Sequence, residues 1–500
     1  MKLAALPALA CLVLYLLQVP PVSGDKDGSE FTLVLALGGV GHPTGYPLYS
    51  LFGHLFVVAL HGLGAGWAFA ANAWSAVGGA FAVLFLGALG LRLSPSGLGK
   101  SARAVLAFLP LALFALNPIW TYEAVLAEVY SWHVAFVGAC ALAFVVLVDE
   151  VEGSKAWSRR RGLAVAAVWG ALCGLGGAHH ATALFVAAPL SLGLFWAARQ
   201  KDRAGGLEAL VVVAAALLPL TSYLFVAWRA FHPAAWQWPT LAPSWPGIWE
   251  HLTGAPYRHF LGSFAPAAEQ QALLARYVYP VLAPAMAGTL AALSFPSRAD
   301  RLRLWPLAAA AVLSTIYAFS YGVPDPTSYF LAPMALAVVL SGACASRLKA
   351  VLRLGVPAAL IASLAIAALG VAWTGTGLER RTVLIRFDER VHSMWDDVRF
   401  PEALVLWPSD MATRLQEYQL LRGEKPNVEA INPVLLTHPP LREAFQARHR
   451  FDPLEGVDLS LSDRPDDFAG VVAGVLNAKS PLPVILFDPR TESVRMLRKR

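Results

Sequence analysis

The sequence predicts an all-α polytopic membrane protein of about eleven transmembrane helices, with a small extramembrane α/β domain at its C-terminal end. Three observations predict it: a deficit of charge, a succession of long apolar runs, and a bias of basic residues toward alternate connecting loops. Only 14% of the 500 residues are charged and 57% are hydrophobic, and the mean hydropathy is +0.55. Soluble domains carry roughly a quarter charged residues, so much of this surface has to face lipid. The four cysteines (Cys11, Cys140, Cys173, Cys344) all lie inside apolar runs. They read as small buried hydrophobes, without disulfide or metal-ligand spacing.

A bilayer-crossing helix needs about 20 mostly apolar residues. Candidate spans run over 3–21, 67–91, 103–117, 131–149, 162–178, 181–198, 207–228, 275–294, 304–320, 327–345 and 354–373. Between 162–178 and 181–198 only the pair His179–His180 marks a turn. The first run, followed by "PPVSGD", fits a cleaved signal peptide or a retained span. The retained span keeps the helix count of the bundle, and we adopt it.

Basic residues test the count independently, because cytoplasmic loops are enriched in Lys and Arg. With the N-terminus inside, the inner loops hold sixteen: Arg92, Lys100, Arg103, Lys155, Arg159, Arg160, Arg161, Arg199, Lys201, Arg203, Arg298, Arg301, Arg303, Arg347, Lys349 and Arg353. The outer loops before the tail hold four, Lys26, Arg229, Arg258 and Arg276, over a greater length. The net charge of +6 is therefore a topology signal, and nucleic acid is excluded as a partner. The division expected is a transmembrane domain over 1–377 and a soluble domain over 378–500 on the outer side, periplasmic if the membrane is a bacterial inner membrane. In that tail "ALVLW" and "PVILF" read as strands and "MATRLQEYQLL" as a helix.

The predicted outer loops concentrate carboxylates, imidazoles and aromatic rings. The first holds Asp25, Asp27 and Glu30, then His42 and Tyr46 within "HPTGYP", whose prolines and glycine build a rigid turn. Asp27 and Glu30 share one face if the segment is helical. An isolated D-x-x-E is usually a solvated acidic turn, yet a carboxylate at the bilayer edge suits general-base work on a hydroxyl. The second, "NPIWTYEAVLAEVYSWH", holds Trp120, Glu123, Glu128, Tyr130 and His133. Its aromatics fit an interfacial belt, whereas Glu128 at the mouth of a span is costly and points to function. The third is His179 and His180, at a turn where one ring is a candidate phosphate donor. The fourth, residues 229–276, is aromatic-rich like a carbohydrate surface and carries Tyr257 with Arg229 and Arg258 as candidate phosphate clamps. The fifth, "YGVPDPTSYF", fixes Asp325 and Tyr329 near flanking prolines, where a plain turn is the ordinary alternative. No Gly-rich nucleotide loop and no metal-ligand spacing is visible.

Read in order, "D-x-x-E-F", "GHPTGYPLYSLFGHLF", "AEVYSWH", "GGAHHAT", "HLTGAPYR", "DPTSYF" and "FPEALVLWPSDMATRLQEYQLLRGEKPNV" resemble a bacterial membrane-protein family of formerly unknown function. That family is related to the eukaryotic transmembrane O-mannosyltransferase that modifies plexin-type domains, within the GT-C glycosyltransferases. The resemblance runs from Asp27 to about Val428. It implies a GT-C-like bundle, a polyprenyl-phosphate-linked sugar as donor and substrate, no cofactor, and transfer with inversion to a protein, lipid or glycan hydroxyl. It places the catalytic carboxylate at Asp27, with Glu30 beside it. The family usually reads D-S-G-E where this chain has Asp27, Gly28, Ser29, Glu30, so the turn between the acids differs and Asp25 remains an alternative. His42, Tyr46, Glu128, Tyr130, His133, His179, His180, Arg229, Tyr257, Arg258, Asp325 and Tyr329 are the expected substrate-binding set. A transporter or flippase, or a non-catalytic envelope scaffold, is the competing class.

Overall fold

The computed structural model describes residues 1–95, 97–154, 157–291, 294, 297–345, 347 and 355–498, without the side chains of 355–359 and 463. Lys155, Lys349, Arg353 and short stretches of the spans expected at 275–294 and 354–373 lie outside the described residues.

Among the described residues, eight helical segments are long and apolar enough to cross a membrane, and a bent pair brings the number to nine if it is counted as one span. They include α4 (Trp67–Leu93), α7 (Tyr130–Gly153), α8 (Arg159–His179) and α15 (Arg298–Ser320). The remaining two predicted spans are the shorter α1 (Lys2–Gln18) and the segment of α13 (Ala268–Leu273), a π turn and α14 (Tyr279–Ala291). The chain is thus a multi-pass, mostly helical membrane protein. The His179–His180 turn falls where the sequence puts it, α8 ending at His179 and α9 (Leu184–Arg199) following a short 3-10 turn.

Three elements depart from the sequence expectation. The first outer loop is not a loop but two packed helices, α2 (Gly28–Leu37) and α3 (Pro47–Gly62). Glycines at positive φ, Gly38 (φ 66°) and Gly45 (φ 86°), permit the turn between them. The second cluster is no single interfacial helix: α5 (Lys100–Ala115) bends by 71° into α6 (Pro118–Val125), and Leu126 is extended. Pro118 and the Asn117 side chain, which accepts from the Ile119 N–H, start the new direction. Trp120 there is fully buried, its indole N–H given to the Tyr15 hydroxyl at 2.8 Å. Finally, the last span belongs to a 42-residue helix, α17 (Gly355–Asp396), which continues past residue 378 into the tail.

Asn72, buried in α4, fixes the chain around the site: its amide donates to the carbonyls of Pro20 and Val22 and its oxygen accepts from the Ala127 N–H. Elsewhere small residues set the packing. A Cβ on Gly170 or Gly174 of α8 would lie 2.2 Å from the carbonyl of Val212 or Ala216 on α10 (Gly206–Leu220). Such small-xxx-small contact substitutes for apolar burial where lipid is already apolar. Gly174→Leu is therefore expected to force the α8–α10 hairpin apart at a cost of roughly 1–3 kcal/mol, read as a lower Tm in detergent.

The tail forms a four-stranded sheet in the order β2-β1-β3-β4, from β1 (Ala403–Leu406), β2 (Val428–Ile431), β3 (Val484–Asp488) and β4 (Ser493–Met496). The first three are parallel and β4 is antiparallel. The two strands read from sequence are β1 and β3, side by side, and the expected helix is α18 (Thr413–Arg422). Arg414 of α18 is fully buried. It donates to Asp388 Oδ1 at 2.6 Å and to the carbonyls of Ser23 and Gly24, binding the tail to the chain just before α2.

Candidate active site

Helix α2 begins at Asp27. This residue occupies the N-cap position; its backbone carbonyl accepts from the Phe31 N–H at 2.9 Å, but its side chain takes no bond from the helix and stands 38% exposed near the positive helix end. One turn on, Glu30 is buried. Its Oε1 accepts from the His42 backbone N–H at 2.6 Å and pairs with His42 Nδ1 at 2.9 Å. Asp27 lies 3.9 Å from the same ring nitrogen, and the Tyr46 hydroxyl lies 3.2 Å from Nε2. Tyr46 itself sits at φ 42°, the left-handed region that a bulky residue adopts only when its surroundings compel it. The rigid turn expected around "HPTGYP" thus holds an Asp–Glu–His–Tyr constellation.

Burial opposes charge on His42, but the carboxylates of Glu30, Asp27 and Asp410 overcome it and lift the imidazole to about 9. Burial likewise raises Glu30 above the usual carboxylate range, against the pull of His42. The His42 imidazole is consequently protonated at neutral pH, held by its carboxylate neighbours. Because the folded pKa of His42 exceeds its ordinary 6.5, this stabilisation is complete below about 6.5 and is lost as pH rises through about 9. Glu30→Gln removes the main cause, so the alkaline limb of any activity that needs His42 protonated should fall by about one pH unit or more.

From Tyr46 the site continues inward as a chain of rings. Tyr46 stacks on His180 at 5.6 Å, His180 lies 5.8 Å from Tyr130, and Tyr130 lies 5.7 Å from Tyr329. His133 and His180 share the Thr182 hydroxyl, at 3.1 and 2.7 Å. The Thr182 N–H also donates to His180 Nδ1, which leaves the Nε2–H to point elsewhere. Burial pushes His180 down to about 3, so it is a neutral donor. Tyr257 and Trp238 cover His42 from the long outer loop, with ring centroids at 6.2 and 5.8 Å.

Other expected residues stand elsewhere. His179 gives its Nε2 to the Val129 carbonyl at 3.1 Å and packs near Tyr49, as a brace. Arg229 approaches Gly38, at the opposite end of α2 from Asp27. Arg258 is exposed beside Tyr257. Asp325 pairs with Lys26 and accepts from the Thr327 hydroxyl at 2.9 Å. Glu128 is buried, and burial with the fields of Asp27 and Glu123 pushes its carboxyl well above the ordinary range. Asp25 is taken by the Tyr122 hydroxyl. Sequence reasoning missed Tyr122, Thr182, Trp238 and Asp410. Lys26 over the Tyr122 ring (4.3 Å) was a signal of sorts, being the lone cation of an acidic stretch. Asp27, Glu30 and His42 also bring three ligand atoms within 4.8 Å of one another, a spacing a divalent cation tolerates, although Glu30 already accepts both His42 donors.

Residues 27–203, which include this constellation and the His179–His180 pair, match the model of the protein O-mannosyl-transferase TMEM260 N-terminal domain. Over those residues the chain is similar to that family's N-terminal domain. The match begins at Asp27, the residue at which the motif series read from the sequence also begins. Among solved structures, the crystal structure of ArnT from Cupriavidus metallidurans bound to undecaprenyl phosphate is similar at a TM-score of 0.51. The identity is 13%, covering 82% of this chain and 83% of that one. The apo structure of the same protein aligns at a TM-score of 0.46, again with 13% identity, over 88% and 93% of the two chains. The first of these likenesses shows a fold like that of ArnT, in keeping with the GT-C-like bundle that the resemblance implied.

Proposed function

We propose that this chain is a membrane glycosyltransferase that moves a sugar, with mannose the first candidate, from a polyprenyl phosphate to a hydroxyl acceptor on the extracytoplasmic face. The observation that carries it is the partly exposed Asp27 carboxylate, uncommitted to capping its own helix, beside the hydrogen-bonded Glu30–His42 pair at the end of the bundle. The family model's name supports sugar transfer to protein, and the lipid in the ArnT crystal supports a polyprenyl-phosphate carrier.

Asp27 takes the proton of the acceptor hydroxyl as its oxygen attacks the anomeric carbon. The bond from that carbon to the phosphate oxygen breaks, and polyprenyl phosphate leaves with the electron pair. Inversion follows from this single displacement. Glu30 positions His42 and Tyr46 rather than acting as base, since its oxygen is already occupied by two donors. The leaving phosphate needs donors aimed at its developing charge. The His180 Nε2–H, beside Tyr46, is the candidate within the constellation, and the ring chain of Tyr46, Tyr130 and Tyr329 would flank the sugar.

A transporter would keep its ionisable groups near the middle of the bundle, whereas these gather at one end of their helices. The test is transfer of radiolabelled mannose from a synthetic polyprenyl-phosphate mannose by the purified chain in detergent. Movement of that lipid across vesicles with no glycosidic bond formed would favour the transporter.

A further inference from the structure

Between Trp238 and Tyr257, the two rings that cover His42, the long outer loop forms a short helix, α12 (Trp245–Leu252). It starts at Ser244, whose hydroxyl accepts from the Gly247 N–H at 3.2 Å. A helix turns about 100° per residue, so the side chains of α12 divide among three faces. Ile248 and His251, separated by about 60° around the axis, are buried. Trp245 and Trp249, separated by about 40°, are 70% and 67% exposed. Glu250, about 100° beyond Trp249, is exposed on the third face.

The buried face leans on the candidate site. Ile248 packs with Val40 and with Val226 and Ala230 of α11 (Tyr223–Phe231). A Cβ on Gly45, in the turn that holds His42 and Tyr46, would lie 3.2 Å from His251 Nε2 and 3.2 Å from Val226. The position of α12 therefore bears on that turn as well as on the loop above it.

The tryptophan face continues a surface that already meets lipid. Helix α11 ends the membrane-crossing segment Gly206–Phe231. No residue of its first part, α10, is fully buried, and Leu217, Leu218 and Leu224 stand exposed along it. At the end of the span Trp228 and Phe231 are exposed too, and the Arg229 guanidinium lies over the Trp228 ring at 4.6 Å. Tryptophan at the end of a span marks the headgroup level, where a guanidinium can reach water or phosphate. Phe231 then meets Trp245 edge to face, with ring centroids at 5.7 Å. The apolar surface thus passes from the span onto α12 at headgroup depth. Indole suits that depth, because it offers an apolar body and one N–H for the wet side.

We propose that α12 rests in the headgroup layer of the leaflet on the Asp27 side, anchored by Trp245 and Trp249, so that the bilayer itself holds the cover of the candidate site. Its three faces then meet lipid, protein and water in turn. This seat follows from the membrane fold and can be tested without sugar transfer.

The full-length protein is placed in nanodiscs of phosphatidylcholine brominated either near the carboxyl end or near the methyl end of the acyl chains. The chain holds sixteen tryptophans, so the emission of one is read as the difference between the unaltered protein and Trp249→Phe. Interfacial helices lie about 5–10 Å into the headgroup boundary. Bromines near the carboxyl end are therefore expected to quench most of that difference, and those near the methyl end much less. Emission quenched by aqueous iodide but not by either lipid overturns the proposal. So does quenching by lipid that vanishes when each nanodisc holds one copy, since a second copy would then cover the face.

Replacing both anchors, Trp245→Glu with Trp249→Glu, removes no buried contact, so Tm should hold. Amide hydrogen exchange over residues 245–252 should quicken by about tenfold or more as the helix loses its support. The pair Trp245→Phe with Trp249→Phe should keep the protection. Exchange that is unchanged in the Glu pair also overturns the proposal. Carboxyl-end quenching and anchor-dependent exchange in a protein that transfers no sugar would leave the seat standing and remove the transferase reading instead.

Discussion

Asp27→Asn is expected to lower sugar transfer by a factor of about a hundred to ten thousand, the usual contribution of a general base, with little change in Tm. The separation of these two readouts follows from the local geometry. Asparagine is as good an N-cap residue as aspartate, and the Asp27 side chain makes no capping bond that could be lost. What disappears is the ability to accept a proton beside His42, 3.9 Å away. Binding of undecaprenyl phosphate, measured by native mass spectrometry, should persist because that lipid carries no hydroxyl acceptor. Activity that survives in Asp27→Asn but disappears in Asp25→Asn would move the base to the neighbouring acid, despite the hold of Tyr122 on it.

The second large effect is structural. Arg414→Ala should destabilise the protein by about 3–5 kcal/mol, the range for removing one partner of a buried ion pair. Asp388 would keep the Tyr418 hydroxyl at 2.8 Å and the more exposed Arg422 at 3.7 Å, and the carbonyls of Ser23 and Gly24 would lose their common donor. Those carbonyls lie immediately before Asp27, so loosening should reach the site as well as the fold. Differential scanning fluorimetry and limited proteolysis between residues 396 and 403 would report the first, and transfer rate the second. An Arg414→Ala protein with unchanged Tm and rate would show that the tail is not held to the first helices in this way.

The fold was largely legible because its signals are additive along the chain. Twenty apolar residues predict a crossing wherever they occur, and sixteen basic residues against four set alternate loops apart without any three-dimensional knowledge. The site was legible where motif and geometry coincide in sequence: Asp27, Glu30, His42 and Tyr46 lie within twenty residues, and one turn gathers them. Reading failed where a contact joins distant segments. The charge of Asp410 in the tail acts on His42 and Trp238 covers it from the long loop, and neither residue type nor local spacing carries that information. Trp120 was placed at an interface because indoles favour one; the bend after Ala115 turned it inward to Tyr15 instead. Arg229 and His179 failed for the same reason, since a side chain's chemistry does not disclose which neighbour claims it.

The unbroken helix from Gly355 to Asp396 has a geometric corollary. Each residue in an α-helix advances about 1.5 Å and turns about 100°, so the azimuth at which the tail faces the bundle is set by the number of residues in that rod, whatever their identity. The Asp388–Arg414 clasp and the Trp236–Gln416 bond meet their partners at one phase of that screw. The spacing between lipid and sheet is accordingly a quantity written in residue count, as a ruler is, and drift by a single insertion would carry both contacts off their partners.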